Sequence, residues 1–377
     1  MYISRQRRKR RSYLAVIVVV LLVLGGAFVI NQSANLIELR NPLVPPEPTP
    51  TPTRSALSYL AEAESLVANG QIPEAIEAYA GVTALEPDND EALRWQARLR
   101  ALLGHTAAAV TLAQKAVDID PAEARNLAVL AMALDWNKQY DDALKAALDA
   151  LDIDATLPEA HAYLAEIYMD QGIWALALEE AEAAVKLDEN SVEAWRSLGY
   201  VLDQQGRRDE AIEAYDRAIA LHPKLGYLYV GKGYVYLADG DYEKALAEFQ
   251  RAVNVNPRSA DGYDALGWGH MLAGASDRAV LTLEKAIEID PEYKPAYGHL
   301  AVAYYARRNY EQAVELFEKA IAMNQATPEY YYELGLSYIY KEPEDCAMAV
   351  PWLRKALEIN PDNPQARQGL DYCAQRR

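Results

Sequence analysis

Between residues 226 and 259 the apolar and small positions fall into two sets. Tyr229, Gly233 and Tyr236 recur at i, i+4, i+7, and so do Ala245, Phe249 and Ala252. Each set marks one face of an α-helix. Gly240-Asp241 separates them, because glycine accepts the left-handed backbone that ends helices. Pro257 stops the second helix, since proline lacks the N–H that a further turn would need. The pattern predicts a helical hairpin, and it returns every 34 residues from about residue 56 to 363. Counted from each repeat start, Pro87, Pro121, Pro223, Pro257 and Pro291 share position 32. Position 20 is alanine in eight registers, from Ala75 to Ala313. Position 8 holds only Gly or Ala, and position 15 is mostly glycine, as in Gly70, Gly104, Gly172, Gly206, Gly240 and Gly274.

One hairpin cannot cover its own apolar face, so a fixed period of this length predicts a stacked repeat array. Small residues at positions 8 and 20 let the paired helices approach, with Tyr236 and Phe249 filling the space between them. Residues 192–225 carry Trp195, Leu198, Gly199, Ala211, Tyr215, Ala218 and Pro223. This resembles the tetratricopeptide repeat, W-x2-L-G-x2-Y followed by A-x3-F, then A and P. The resemblance implies an all-α fold, a right-handed superhelical solenoid of antiparallel helix pairs. It also implies that the first helix of each repeat lines a concave groove, chiefly through positions 2, 5, 9 and 12.

Nine repeats are expected: 56–89, 90–123, 124–157, 158–191, 192–225, 226–259, 260–293, 294–327 and 328–363. The first four are divergent and alanine-rich. The third and eighth replace the turn glycine by Lys138 and Arg308. The ninth is two residues longer, and the extra residues fall in the turn Lys341–Asp345. Residues 364–377 read as a capping helix. By the resemblance, nine repeats should make about one superhelical turn and enclose a long trough. In such stacking the end of the cap lies level with the start of the ninth repeat's second helix. A bridge between the only two cysteines, Cys346 and Cys373, is then feasible in an oxidising compartment.

The amino terminus differs from the rest. Residues 1–12 are basic, with Arg5, Arg7, Arg8, Lys9, Arg10 and Arg11 and no acid among the first eleven. Residues 13–30 are eighteen uncharged, mostly apolar residues, long enough as a helix to span about 27 Å of hydrocarbon. They are expected to form a single transmembrane helix with a cytoplasmic amino terminus, which places the array outside the cytoplasm. A cleaved signal peptide is the rival reading, with Gly25-Gly26-Ala27 as its small-residue site. Residues 31–55 form a Pro/Thr-rich linker, with six prolines in 41–55 that favour an extended spacer. The whole chain carries a formal charge of −18, and everything after residue 11 carries 31 basic against 55 acidic residues. So acidic an array repels phosphate backbones, which argues against nucleic-acid binding.

No motif for metal, phosphate or nucleophilic catalysis is present, and the five histidines are scattered. No carboxylate pair stands in an apolar setting, and His270 reads as a packed residue. A non-enzymatic protein without cofactor or metal follows, with function residing in surfaces. By the resemblance, Arg94, Arg98 and Arg125 face one stretch of trough and can converge on one anion, unless Glu91 and Asp135 neutralise them. Tyr200, Tyr227, Tyr234, Trp268, Met271, Tyr305 and Tyr340 occupy the groove in repeats five to nine. Either they anchor a ligand, or neighbouring helices bury them as packing. The expected partner is a protein or peptide, and the membrane is engaged through the amino-terminal helix. A polysaccharide-binding or export-associated module is the alternative. A protein ligand predicts discrete anchors and pairing charges, whereas a sugar predicts a continuous aromatic track.

Overall fold

The computed structural model describes residues 54–323 and 327–376, together with Val18 and Val20. The basic segment, the rest of the apolar stretch and the linker up to Thr53 lie outside the described residues. Among the described residues no helix is long and apolar enough to cross a membrane. Arg54–Arg377 forms one compact unit.

That unit is built of helices alone, among the described residues. The first helices of successive hairpins are α1 (Ala56–Ala68), α3 (Asp90–Leu102), α5 (Ala124–Trp136), α7 (Pro158–Asp170), α9 (Val192–Gln204), α11 (Gly226–Ala238), α13 (Ala260–Leu272), α15 (Lys294–Ala306) and α17 (Pro328–Tyr340). Their partners are α2 (Ile72–Leu85), α4 (Thr106–Ile119), α6 (Tyr140–Ile153), α8 (Trp174–Leu187), α10 (Arg208–Leu221), α12 (Tyr242–Val255), α14 (Ser276–Ile289), α16 (Tyr310–Ala322) and α18 (Cys346–Ile359). A last helix, α19 (Pro364–Ala374), packs on α17 and α18.

The repeating positions explain the hairpin. Every position-20 alanine from Ala75 to Ala313 is completely buried. Position 8 is small because a large side chain from the second helix lies against it: a Cβ on Gly233 would come within 2.4 Å of Phe249. Gly199 meets Tyr215 and Gly267 meets Leu283 in the same way. The intra-repeat turn needs a left-handed residue, and Gly240 takes φ 78°. Lys138 and Arg308 take the same conformation at φ 63° and 60°. Between repeats, Asp or Asn accepts the amide two residues on, as when Asp290 Oδ1 accepts from Glu292 N at 2.9 Å. Such Asx turns redirect the chain into the next first helix.

The alanine-rich half coils more tightly than the rest. Consecutive first helices α3, α5, α7 and α9 pack directly and extensively on one another, whereas the contacts between α9, α11, α13, α15 and α17 are sparser. In α5 only Arg125 and Trp136 escape full burial. Small side chains permit that approach, and it sharpens the curvature. The first two repeats are thereby brought back onto repeats five to seven. Lys224 Nζ donates to Asn69 Oδ1 at 2.7 Å, Arg258 pairs with Glu74 at 2.6 Å, and His105 Nε2 lies 2.9 Å from Asp290. Leu225 and Leu228 join one apolar cluster with Ala63, Ile72 and Leu99. The long trough expected from an even superhelix is therefore corrected: the array closes on itself.

Candidate functional site

The concave face has three parts. The first is a cavity of about 250 Å³ at α3, α5 and α7, lined by Glu91, Arg94, Trp95, Arg98, Arg125, Ala128, Val129, Glu159 and Tyr163. The three arginines come together here because positions 5 and 9 of one first helix adjoin position 2 of the next. Arg94 donates to Asn126 Oδ1 at 2.9 Å and stands 3.8 and 3.7 Å from Asp90 and Glu91. Arg98 pairs with Glu193 of α9, across the closed array, and lies 5.1 Å above the Trp95 ring. Arg125 has 59% of its side chain exposed and reaches Glu123 at 3.7 Å. Glu91 is thus a partner as expected, while Asp135 is not: Glu193 holds Arg98 instead. Tyr163 was also missed. It is 1% exposed, and its hydroxyl finds no hydrogen-bond partner among the described residues.

The second part is a buried acidic network in α5, α7 and α9, which overturns the expectation that no carboxylates share an apolar setting. Glu166 accepts from Arg196, from Ser197 Oγ and, at 3.2 Å, from Trp136 Nε1. Tyr200 donates its hydroxyl to Asp170. Asp135, 2% exposed, has one oxygen without a partner. Burial first, then the charges of Asp170 and Glu166, push its pKa up to about 8. In α17 burial, helped by Glu329, raises Glu333 to about 7. Among the described residues no three His, Cys, Asp or Glu side chains are placed to hold a metal ion. Asp135 and Glu166 occupy groove positions 12 and 9 of their repeats, which was the available signal, whereas Asp170 and Glu333 fall outside those positions.

The third part is the aromatic face. Tyr227 packs against the apolar cluster of the first two repeats, and Trp268 stacks on His299 at 4.4 Å. Tyr234 meets Phe249 edge-on at 5.3 Å yet stays 37% exposed. Tyr305 and Tyr340 both contact Tyr310, at 5.8 and 5.2 Å, and Tyr340 is 50% exposed. Met271 is half-buried against the Val280–Leu283 cluster. His270 is half-buried too, rather than enclosed. The rings therefore do not make one track: some serve the closure, and two, Tyr234 and Tyr340, are partly exposed. Outside the groove, Cys346 and Cys373 are bridged between α18 and α19 with their Cα atoms 5.4 Å apart.

An array of paired helices with a differentiated concave face defines a helical repeat scaffold. Models of the tetratricopeptide repeat match residues 60–124, 128–191, 164–225, 202–268, 270–334 and 328–363. The chain belongs to the tetratricopeptide repeat family, whose repeats suggest a protein–protein interaction scaffold. Among solved structures it is similar to a chain of a crystal structure described as the APC/C hetero-tetramer Cut9–Hcn1. The TM-score is 0.64 at 16% identity, over 84% of this chain and 62% of that one, a likeness of fold. No curated protein sequence matches.

Proposed function

We propose that this chain is a membrane-anchored, non-catalytic scaffold whose repeats lie outside the cytoplasm and bind another protein or an extended peptide. The observation that carries the reading is the division of the aromatic face. Tyr200 and Tyr227 are committed internally, whereas Tyr234 and Tyr340 stand exposed as separate anchors. Discrete aromatic anchors with charges nearby suit a protein ligand, since large rigid rings bury area at low entropic cost. Sugar stacking would call for an unbroken row of free rings. The Cys346–Cys373 bridge supports an oxidising compartment. The basic segment followed by the apolar stretch 13–30 supports an anchor with its amino terminus in the cytoplasm. The acidity of the array speaks against a nucleic-acid partner.

Affinity capture with the full chain, followed by mass spectrometry, identifies the partner. The double variant Tyr234→Ala/Tyr340→Ala is expected to weaken that capture by about tenfold or more, the loss of one strong hot spot. Tyr234 also packs on Phe249 and Tyr340 on Tyr310, so a thermal melt of the double variant, run beside the capture, separates lost packing from lost binding. Undiminished capture would remove the aromatic anchors from the account.

A further inference from the structure

On the side away from the concave face, a cleft of about 760 Å³ opens between α4 and α6. Its floor is Leu127, Leu130 and Leu134 of α5, at positions 4, 7 and 11 of the third repeat, with Val110, Val117 and Ala146 on the walls. The other repeats show what fills such a cleft. Tyrosine or tryptophan stands at position 4 or 11 in the first repeat and in every repeat from the fourth to the ninth, as at Tyr59, Tyr168, Trp195 and Tyr263. At position 4 the ring reaches the connecting loop: Trp195 Nε1 donates to the Glu189 carbonyl at 2.8 Å, and the Tyr297 hydroxyl to that of Pro291 at 2.9 Å. At position 11 it reaches the second helix of the preceding repeat. Tyr304 donates to Glu284 at 2.6 Å and Tyr338 to Glu318 at 2.5 Å. Repeats two and three alone lack a ring at both positions.

In repeat two the chain supplies a cover from elsewhere. Ile76, Glu77, Arg100 and His105 stand where Val110, Thr111, Leu134 and Gln139 stand one repeat later. They face Arg258, Ile289 and Asp290 of repeats six and seven across one cavity, with His105 2.9 Å from Asp290. The closure is thus seated over a cleft that lacks its rings. The matching cleft of repeat three is lined by repeats two and three alone. Its rim carries both signs, Lys115 on α4 and Asp142, Lys145 and Asp149 on α6, all exposed. Floor and walls are helices whose backbone groups are bonded internally, so no free edge awaits a strand, and a strand's own amides would lie unpaired on the leucines. A helix arrives with its backbone satisfied and lays large side chains at i, i+4 and i+7 into a groove. Leu127 to Leu134 spans two turns, about 10 Å, which matches that spacing.

We propose that the cleft between α4 and α6 is a second interaction surface, and that it takes an amphipathic helix of a partner protein with two aromatic residues seven positions apart. The partner's rings stand in for those missing at positions 4 and 11. Acidic residues on one flank of that helix face Lys115, and lysines on the other face Asp142 and Asp149. The surface is separate from the concave face and does not rest on Tyr234 or Tyr340.

The test is fluorescence anisotropy of the full chain with a labelled helical peptide. The peptide bears tryptophan and tyrosine seven residues apart, a leucine between them, glutamate on one flank and lysine on the other; its control has alanine for both rings. The control should bind at least about tenfold more weakly. Leu134→Tyr restores the ring of the neighbouring repeats, with Gln114 at the place of Glu284 and Glu318 to accept its hydroxyl. It should hold or raise the melting temperature and weaken the peptide by about tenfold or more. Lys115→Glu, on the exposed rim, leaves the core untouched and should weaken the peptide several-fold at low salt and less at high salt. Equal binding of the two peptides, binding of neither, or an affinity unmoved by Leu134→Tyr overturns the proposal. A lowered melting temperature for Leu134→Tyr overturns it too, since the cleft would then have no room for a ring. An unmoved Lys115→Glu overturns the assignment of the flanks. Decanoate displacing the label as well as unlabelled peptide does assigns the cleft to an acyl chain and overturns the helix. Peptide binding lost in Tyr234→Ala/Tyr340→Ala would put the peptide on the concave face, which also overturns the cleft while leaving the scaffold reading in place.

Discussion

At Asp135 burial outweighs charge. Arg196, the nearby cation, is committed to Glu166, and the two closest acids add repulsion, so the carboxyl keeps its proton up to a pH of about 8. Unfolded, the same group titrates near about 4. The folded pKa is raised, so the stabilisation is complete below about pH 4 and is lost as pH rises through about 8. Asp135→Asn carries no titrating proton and should flatten that loss. Urea midpoints at pH 5 and pH 9 test it. The variant should gain relative to the parent by on the order of 3 kcal/mol between those conditions, and an unchanged difference would place the proton elsewhere. Glu333, raised to about 7, leaves a smaller residual slope in the same direction. This behaviour was not legible beforehand. Asp135 occupies a groove position that an even superhelix would leave open to water. Its burial follows from the small side chains of α5 and α7, which bring their neighbours over it.

At the scale of the element, far more could be read from the chain. Spacing alone located the hairpins, because a left-handed turn residue, a buried alanine and a small position 8 are demanded by one geometry in each of the first eight repeats. The two non-glycine turns show how far that reasoning extends. Lys138 and Arg308 adopt the glycine conformation because the helices on either side already determine the turn. The ninth repeat keeps its helices by placing two extra residues between α17 and α18. The bridge from α18 to α19 fastens the end most prone to fray. It closes a loop with a sequence separation of 27 residues, worth about 3 kcal/mol through the unfolded state. Reduction or Cys373→Ser should therefore lower the melting temperature and free α19 first, seen as faster amide exchange there. Trapping thiols with a maleimide in intact cells connects this element to topology. Protection from alkylation until a reductant is added is expected, and immediate labelling of the folded chain would return the array to a reducing compartment.

For the whole molecule the decisive feature is the closure, which no periodic pattern encodes because it joins residues more than 150 positions apart, such as Asn69 and Lys224. Its charged contacts are few, and exposed pairs such as Arg258–Glu74 contribute about 1 kcal/mol or less each. The apolar seam of Leu225 and Leu228 with Ile72 and Leu99 carries more, since each fully buried aliphatic side chain contributes about 1.5–3 kcal/mol. Salt alone should accordingly leave the array closed. A steric wedge should not. Gly70 and Gly172 occupy the same turn position with φ 72° and 75°. A Cβ on Gly172 meets nothing within 4 Å, whereas one on Gly70 would lie 1.8 Å from the carbonyl oxygen of Lys224. Both alanine variants bear the same backbone strain, about 1 kcal/mol, so their difference isolates the closure. Small-angle scattering should give Gly172→Ala the parent radius of gyration and Gly70→Ala a larger one. Equal radii for the two variants would mean that the contact between the first and fifth repeats does not hold the array shut.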